Sequence, residues 1–205
     1  AGTDCMDYYE IIANNFQGTI ETIALSVDNL AEPIANASQA ITHALLEDRK
    51  VLVCGNGADA ALGQLFCSQL LNQFTRERPA LPALTLAGDG ASVTAIADSD
   101  GIEEIFSRQI RALGQPGDIL LCISSGTAAS NLLRAAQAAG ERDMTTIAMT
   151  SANDHQLASL LGTGDTELAV AASRPAGVVE LHTMILHSLC ELIDLNLFGP
   201  LHQEP

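Results

Sequence analysis

The sequence predicts an α/β protein built on a doubly wound parallel sheet, with helical segments ahead of it. Three observations carry that reading. Short apolar runs at 51–54, 81–86, 119–123, 145–149 and 167–170 alternate with longer stretches of helical periodicity, which implies crossover connections and helices on both faces. Two of the runs end in Gly- or Ser-rich turns, where ligands sit on such sheets. The 205 residues, 47% apolar and 17% charged, suffice for one domain with a full core.

Along the chain, Tyr8, Ile11, Ile12, Phe16, Ile20, Ile23 and Val27 form an apolar stripe at three- and four-residue steps. A second helical run carries Leu30, Ile34, Ile41, Leu45 and Leu46, and ends in Glu47-Asp48-Arg49-Lys50. Pro33 falls near its start, where a missing N–H costs little. The expected organisation is a single domain over 6–205, a helical hairpin at 6–48 followed by an α/β core at 49–198. Residues 1–5, ahead of Met6, read as an appended remnant outside the fold.

The run at 51–54 leads into Gly55-Asn56-Gly57-Ala58-Asp59, and that at 119–123 into Ser124-Ser125-Gly126-Thr127. Such turns before a helix offer backbone N–H groups, hydroxyls and a positive helix end to an anion. Ordinary turn and N-cap chemistry uses the same residues. Either loop alone is a weak signal.

Charge narrows the partners. Nine basic against 25 acidic side chains give a formal net charge of −16. That disfavours direct contact with nucleic acid, because few cations remain to neutralise phosphates. No uninterrupted apolar run reaches the roughly 18 residues of a membrane span, and no basic segment precedes an apolar one as in a leader. The expectation is a cytoplasmic protein with no membrane partner. Cys5, Cys54, Cys67, Cys122 and Cys190 are odd in number and show no C-x-x-C spacing, which fits buried core thiols in a reducing compartment.

Several segments together resemble a known family. C-G-N-G at 54–57, R-P-A-L-P-A at 78–83, F-S-R-Q-I-R-A-L-G-Q-P-G-D at 106–118 and I-S at 123–124 are similar to sugar isomerase (SIS) domains, in the branch that joins phosphoheptose isomerases to the DnaA initiator-associating proteins. The resemblance spans nearly the whole chain, from about Met6 to Phe198. It implies a flavodoxin-like five-stranded parallel sheet and a homotetramer. It also implies sugar-phosphate loops at Asn56, Gly57, Ala58 and Asp59, at Asp98 and Ser99, and at Ser124, Ser125, Gly126 and Thr127.

Where this chain departs from the isomerase pattern, the chemistry changes. The family's isomerases bind zinc and move a proton between neighbouring carbons of a sugar phosphate, with H-F-A-E-E-L on one helix and R-I-Q-E-I-H-x-x-x-x-H on a late one. Here Leu65 replaces the histidine, Gln69 the catalytic glutamate and Val179 the glutamine, while His187 alone keeps a ligand position. Glutamine has no basic oxygen, and leucine cannot bind a metal. Glu180 and His182 match the family's lettering without being its ligands. His187 shares a helical stripe with Glu180, Thr183 and Glu191, a spacing equally suited to a catalytic remnant and to a satisfied helix histidine. Arginine gives way to Gln73 and Gly177. Asp59 stands where the family has serine, and a carboxylate about 4 Å from a phosphate costs about 4 kcal/mol at an effective dielectric of 20.

The carboxyl end, Ser188-Leu-Cys-Glu-Leu-Ile-Asp194-Leu-Asn-Leu197-Phe198, resembles the closing helix of the initiator-associating proteins. That likeness implies a non-catalytic, cofactor-free adaptor whose Leu197 and Phe198 dock the replication initiator DnaA and promote its assembly at the origin. Helix-end packing explains the same two residues, with Gly199-Pro200 as the stop. The alternatives are a divergent sedoheptulose-7-phosphate isomerase, with zinc, and a phosphosugar-binding sensor. Residue 69 leads the expectation away from an enzyme.

Overall fold

The computed structural model describes residues 8–172 and 174–200. Residues 1–5, which include Cys5 and are expected to be a remnant, lie outside the described residues. The elements run α1 (Tyr8–Leu46), β1 (Val51–Gly55), α2 (Ala58–Leu71), β2 (Ala83–Thr85), α3 (Gly90–Asp100), α4 (Ser107–Leu113), β3 (Ile119–Ile123), α5 (Ser130–Glu141), β4 (Thr145–Ser151), β5 (Thr166–Val170) and α6 (Pro175–Phe198). The five strands are all parallel in the order β2-β1-β3-β4-β5, the flavodoxin-like arrangement.

Strand alternation divides the core between two layers. Val51, Val53, Ile119, Leu121, Ile123, Ile147 and Met149 point to the layer that holds α1, α2 and α6. Leu52, Cys54, Leu120, Cys122 and Ala148 point to the other, with Ile110 of α4 and Leu132 and Ala135 of α5. Cys54, Cys67, Cys122 and Cys190 are free and buried within these layers.

The hairpin expected at 6–48 is one continuous helix of 39 residues. Residues 27–33 hold no glycine, and the chain runs on as helix past the turn formers Asp28 and Asn29. Pro33 therefore lies inside the helix, where its missing N–H leaves the carbonyl of Asn29, an exposed residue, to water. The carboxyl-terminal half carries the core face: Leu30, Ala37, Ile41 and Ala44 are buried. Thr22, Ser26 and Thr42 also lie on the inner side, each hydroxyl donating to the carbonyl four residues back. The amino-terminal stripe is different. Tyr8, Ile12, Phe16 and Ile20 are exposed, and only Ile23 of that set packs on the core.

α6 is long and apolar enough, by length and composition, to cross a membrane. Here half of its most apolar 18-residue stretch is inside the protein, with Leu181, Ile185, Leu186, Leu189 and Ile193 packed against α1 and α2. It is a core helix.

Candidate functional site

In the order β2-β1-β3-β4-β5 the strand order reverses between β1 and β3, so the loops that leave those strands flank the crevice. The turn after β1 is tight. A Cβ on Gly55 would come within 2.7 Å of the Asp59 backbone, and Gly57 has φ +56°, a conformation that favours glycine. Ala58 then begins α2. Asn56 and Asn131 exchange side-chain hydrogen bonds of 2.9 and 3.0 Å, which ties this turn to the start of α5.

Asp59, in the first turn of α2, reaches the next loop. Its Oδ2 accepts from the Ser125 N–H at 3.0 Å and from the Ser125 hydroxyl at 3.1 Å. Burial raises its carboxyl pKa above the ordinary value, against the opposing effect of the two Ser125 bonds. The Ser124 hydroxyl donates to the Gly126 carbonyl, holding the loop in a turn. Further along, Ala128 N–H donates to Asp154 Oδ2 at 2.7 Å, and Gln156 N–H to Asp154 Oδ1 at 3.0 Å.

Ser125, Gly126 and Thr127 line a cleft of about 260 Å³ with Ser151, Asn153 and Asp154 beyond β4 and Pro175 and Val178 at the start of α6. The structure thus brings the β3 loop to the cleft and uses Asn56, Gly57, Ala58 and Asp59 as its support. Asp98 and Ser99 do not belong to it. They are exposed at the end of α3, and the Ser99 hydroxyl is bonded to the Ala95 carbonyl and to Asp100. The sequence reading missed Ser151, Asn153 and Asp154. The same strand-end rule applied after the run at 145–149 would have found them.

The α2–α6 contact holds the positions compared with the isomerase helices. Leu65 and Val179 are half-buried against the core. The Gln69 side-chain oxygen accepts from the Cys190 thiol at 3.3 Å. His187 stacks on Phe74 with ring centres 5.5 Å apart, while Glu180 is engaged with Thr19 and Arg174. Gln73 is exposed, and Gly177 is buried close to the Ala172 side chain. His182 is fully buried, its Nε2 3.3 Å from the Thr150 carbonyl and its Nδ1 without a partner among the described residues. Burial pulls its pKa down to about 4.

Comparison with known proteins decides the family. The SIS domain profile matches residues 15–151. A phosphoheptose isomerase from Pseudoalteromonas atlantica is 45% identical over 195 residues, covering 95% of this chain and 99% of that protein. The chain belongs to the phosphoheptose isomerase family of SIS domains. A second relative with that name, from Chromohalobacter salexigens, is 45% identical over 95% of this chain and 98% of its own. The solved phosphoheptose isomerase from Francisella tularensis superposes with a TM-score of 0.89 at 38% identity, covering 92% of this chain and 99% of that one.

These relatives overturn the adaptor reading: they are named phosphoheptose isomerases, and the closer likeness to the DnaA-associating branch has no support among them. The carboxyl-terminal motif that suggested it is built into the fold. Cys190, Ile193 and Asp194 are buried, and Leu197 and Phe198 pack on the core. Arg76 lies over the Phe198 ring at 5.5 Å and donates to the Gly199 carbonyl at 2.7 Å. The pair closes a helix end.

Zinc does not fit the residues present. A tetrahedral site needs about four N, O or S ligands. Leucine and valine stand at two of the compared positions, the Gln69 oxygen is already used by Cys190, and the His187 ring lies against Phe74. Among the described residues no group of three or more His, Cys, Asp or Glu is placed to hold a metal.

Proposed function

We propose that this chain is a divergent phosphoheptose isomerase-type protein whose ligand, a seven-carbon ketose phosphate such as sedoheptulose 7-phosphate, binds in the cleft at the ends of β3 and β4. The observation that carries the reading is the Ser125-Gly126-Thr127 loop facing Asn153 across that cleft, in a chain whose relatives bear the isomerase name over their full length. Hydroxyls and loop amides of this kind suit the many oxygens of a sugar phosphate. The aldose–ketose step moves a proton between adjacent carbons and needs a basic group beside them. Gln69 cannot supply it near neutral pH.

Gln69, Leu65 and Val179 favour a second reading, a phosphosugar-binding sensor with no turnover. One experiment separates the two. The protein is incubated with sedoheptulose 7-phosphate, with and without added zinc, and the heptose phosphate product is followed beside calorimetric binding. Product above the protein-free control supports the isomerase. Saturable binding without product supports the sensor. Neither product nor binding refutes both.

Self-association into a homotetramer belongs to the same proposal. The exposed stripe Tyr8, Ile12, Phe16 and Ile20 on α1 supports it, since a second copy of this chain would cover those side chains.

A further inference from the structure

We propose that Asp59 is the specificity-determining residue of the cleft, a built-in anion that holds the Ser125 amide and hydroxyl and that a phosphate group must displace in order to bind there. The inference rests on reading the cleft as a sugar-phosphate site, and it concerns what that site admits.

The two bonds from Ser125 to Asp59 Oδ2 are the kind a phosphate oxygen accepts from a strand-end loop, one from a backbone N–H and one from a hydroxyl. Two anions cannot share those donors. The other flank of the loop is committed in the same way, because Asp154 takes the Ala128 amide. Only the middle of the loop, at the exposed Gly126 and Thr127, is left to an incoming ligand. The second Asp59 oxygen, Oδ1, is buried and has no hydrogen-bond partner among the described residues, and the residue is only 8% exposed. The cleft therefore discriminates against small phosphate dianions, which must compete with Asp59 for the Ser125 donors.

The test titrates inorganic phosphate and, in parallel, sedoheptulose 7-phosphate into the wild-type protein, Asp59→Ser and Asp59→Asn. The asparagine variant removes the charge and keeps an oxygen to accept from Ser125, which protects the fold. The expected result is an affinity for inorganic phosphate at least about tenfold tighter in both variants than in the wild type, a difference of about 1.4 kcal/mol. Equal affinities in all three proteins, or no phosphate binding by either variant, overturn the role of Asp59. If the variants gain inorganic phosphate while none of the three proteins binds the sugar phosphate, Asp59 keeps its role and the seven-carbon ligand is refuted. If the wild type binds the sugar phosphate and the variants gain nothing for either ligand, the ligand reading stands and the Asp59 proposal falls.

Discussion

Acidification between pH 6.5 and about 4 is expected to destabilise this protein through His182. The ring is buried where α6 meets the end of β4, one nitrogen at the Thr150 carbonyl and the other unpartnered among the described residues, in surroundings that disfavour a charged imidazolium. Its pKa falls from the ordinary 6.5 to about 4 in the folded protein. Below pH 6.5 the unfolded chain takes up a proton that the folded chain refuses, so stability declines as pH falls until the folded ring titrates as well. One pKa unit corresponds to about 1.4 kcal/mol, so the full loss is about 3 kcal/mol, of which about 2 is spent by pH 5. Above about pH 7 the histidine makes no pH-dependent contribution. The assay is urea unfolding at several pH values from 7.5 to 4.5 at constant protein concentration, on the wild type and on His182→Gln. The glutamine amide can still donate to Thr150 but does not titrate. Carboxylates affect both proteins alike, so the difference between the two curves isolates the histidine. A difference that stays constant across that range, or an NMR titration midpoint of the His182 ring near 6.5, refutes the reasoning.

Arg78 and Asp194 form a buried ion pair at 2.8 Å, and the same guanidinium donates to the Gln69, Leu70 and Asn72 carbonyls at the end of α2. Arg78→Ala, which strands the aspartate, should cost about 3–5 kcal/mol in chemical unfolding; a loss under about 1 kcal/mol would show the pair to be dispensable. Phe198→Ala should lower stability by about 2 kcal/mol through lost packing and the lost Arg76 contact, and an unchanged melting temperature would contradict the helix-end role. Phe16→Asp combined with Ile20→Asp should reduce the light-scattering mass from about four chains toward one, whereas a tetramer that survives both charges would place the interface elsewhere.

Local pattern settled much of this fold. Short apolar runs such as 51–54 and 119–123 became strands because a buried parallel strand needs a continuous apolar segment and nothing from afar to specify it. The turn residues after them marked the crevice, since a chain leaving a strand for a helix must turn at that point. Three features depended on partners distant in sequence. The helix through Pro33 stayed whole because its carboxyl-terminal half packs on α6 and β5, which outweighs a proline penalty of about 3 kcal/mol. Arg78, read only as part of a motif, acquired its role from Asp194, 116 residues away. Asp59, read from sequence as a bare charge facing a phosphate, found Ser125 across the crevice, 66 residues on. Periodicity and turn chemistry are written in neighbouring residues and survive in the sequence alone. Which donor meets which acceptor, and which apolar face is covered, is decided only when the layers close, because burial sets the cost of every unpaired group.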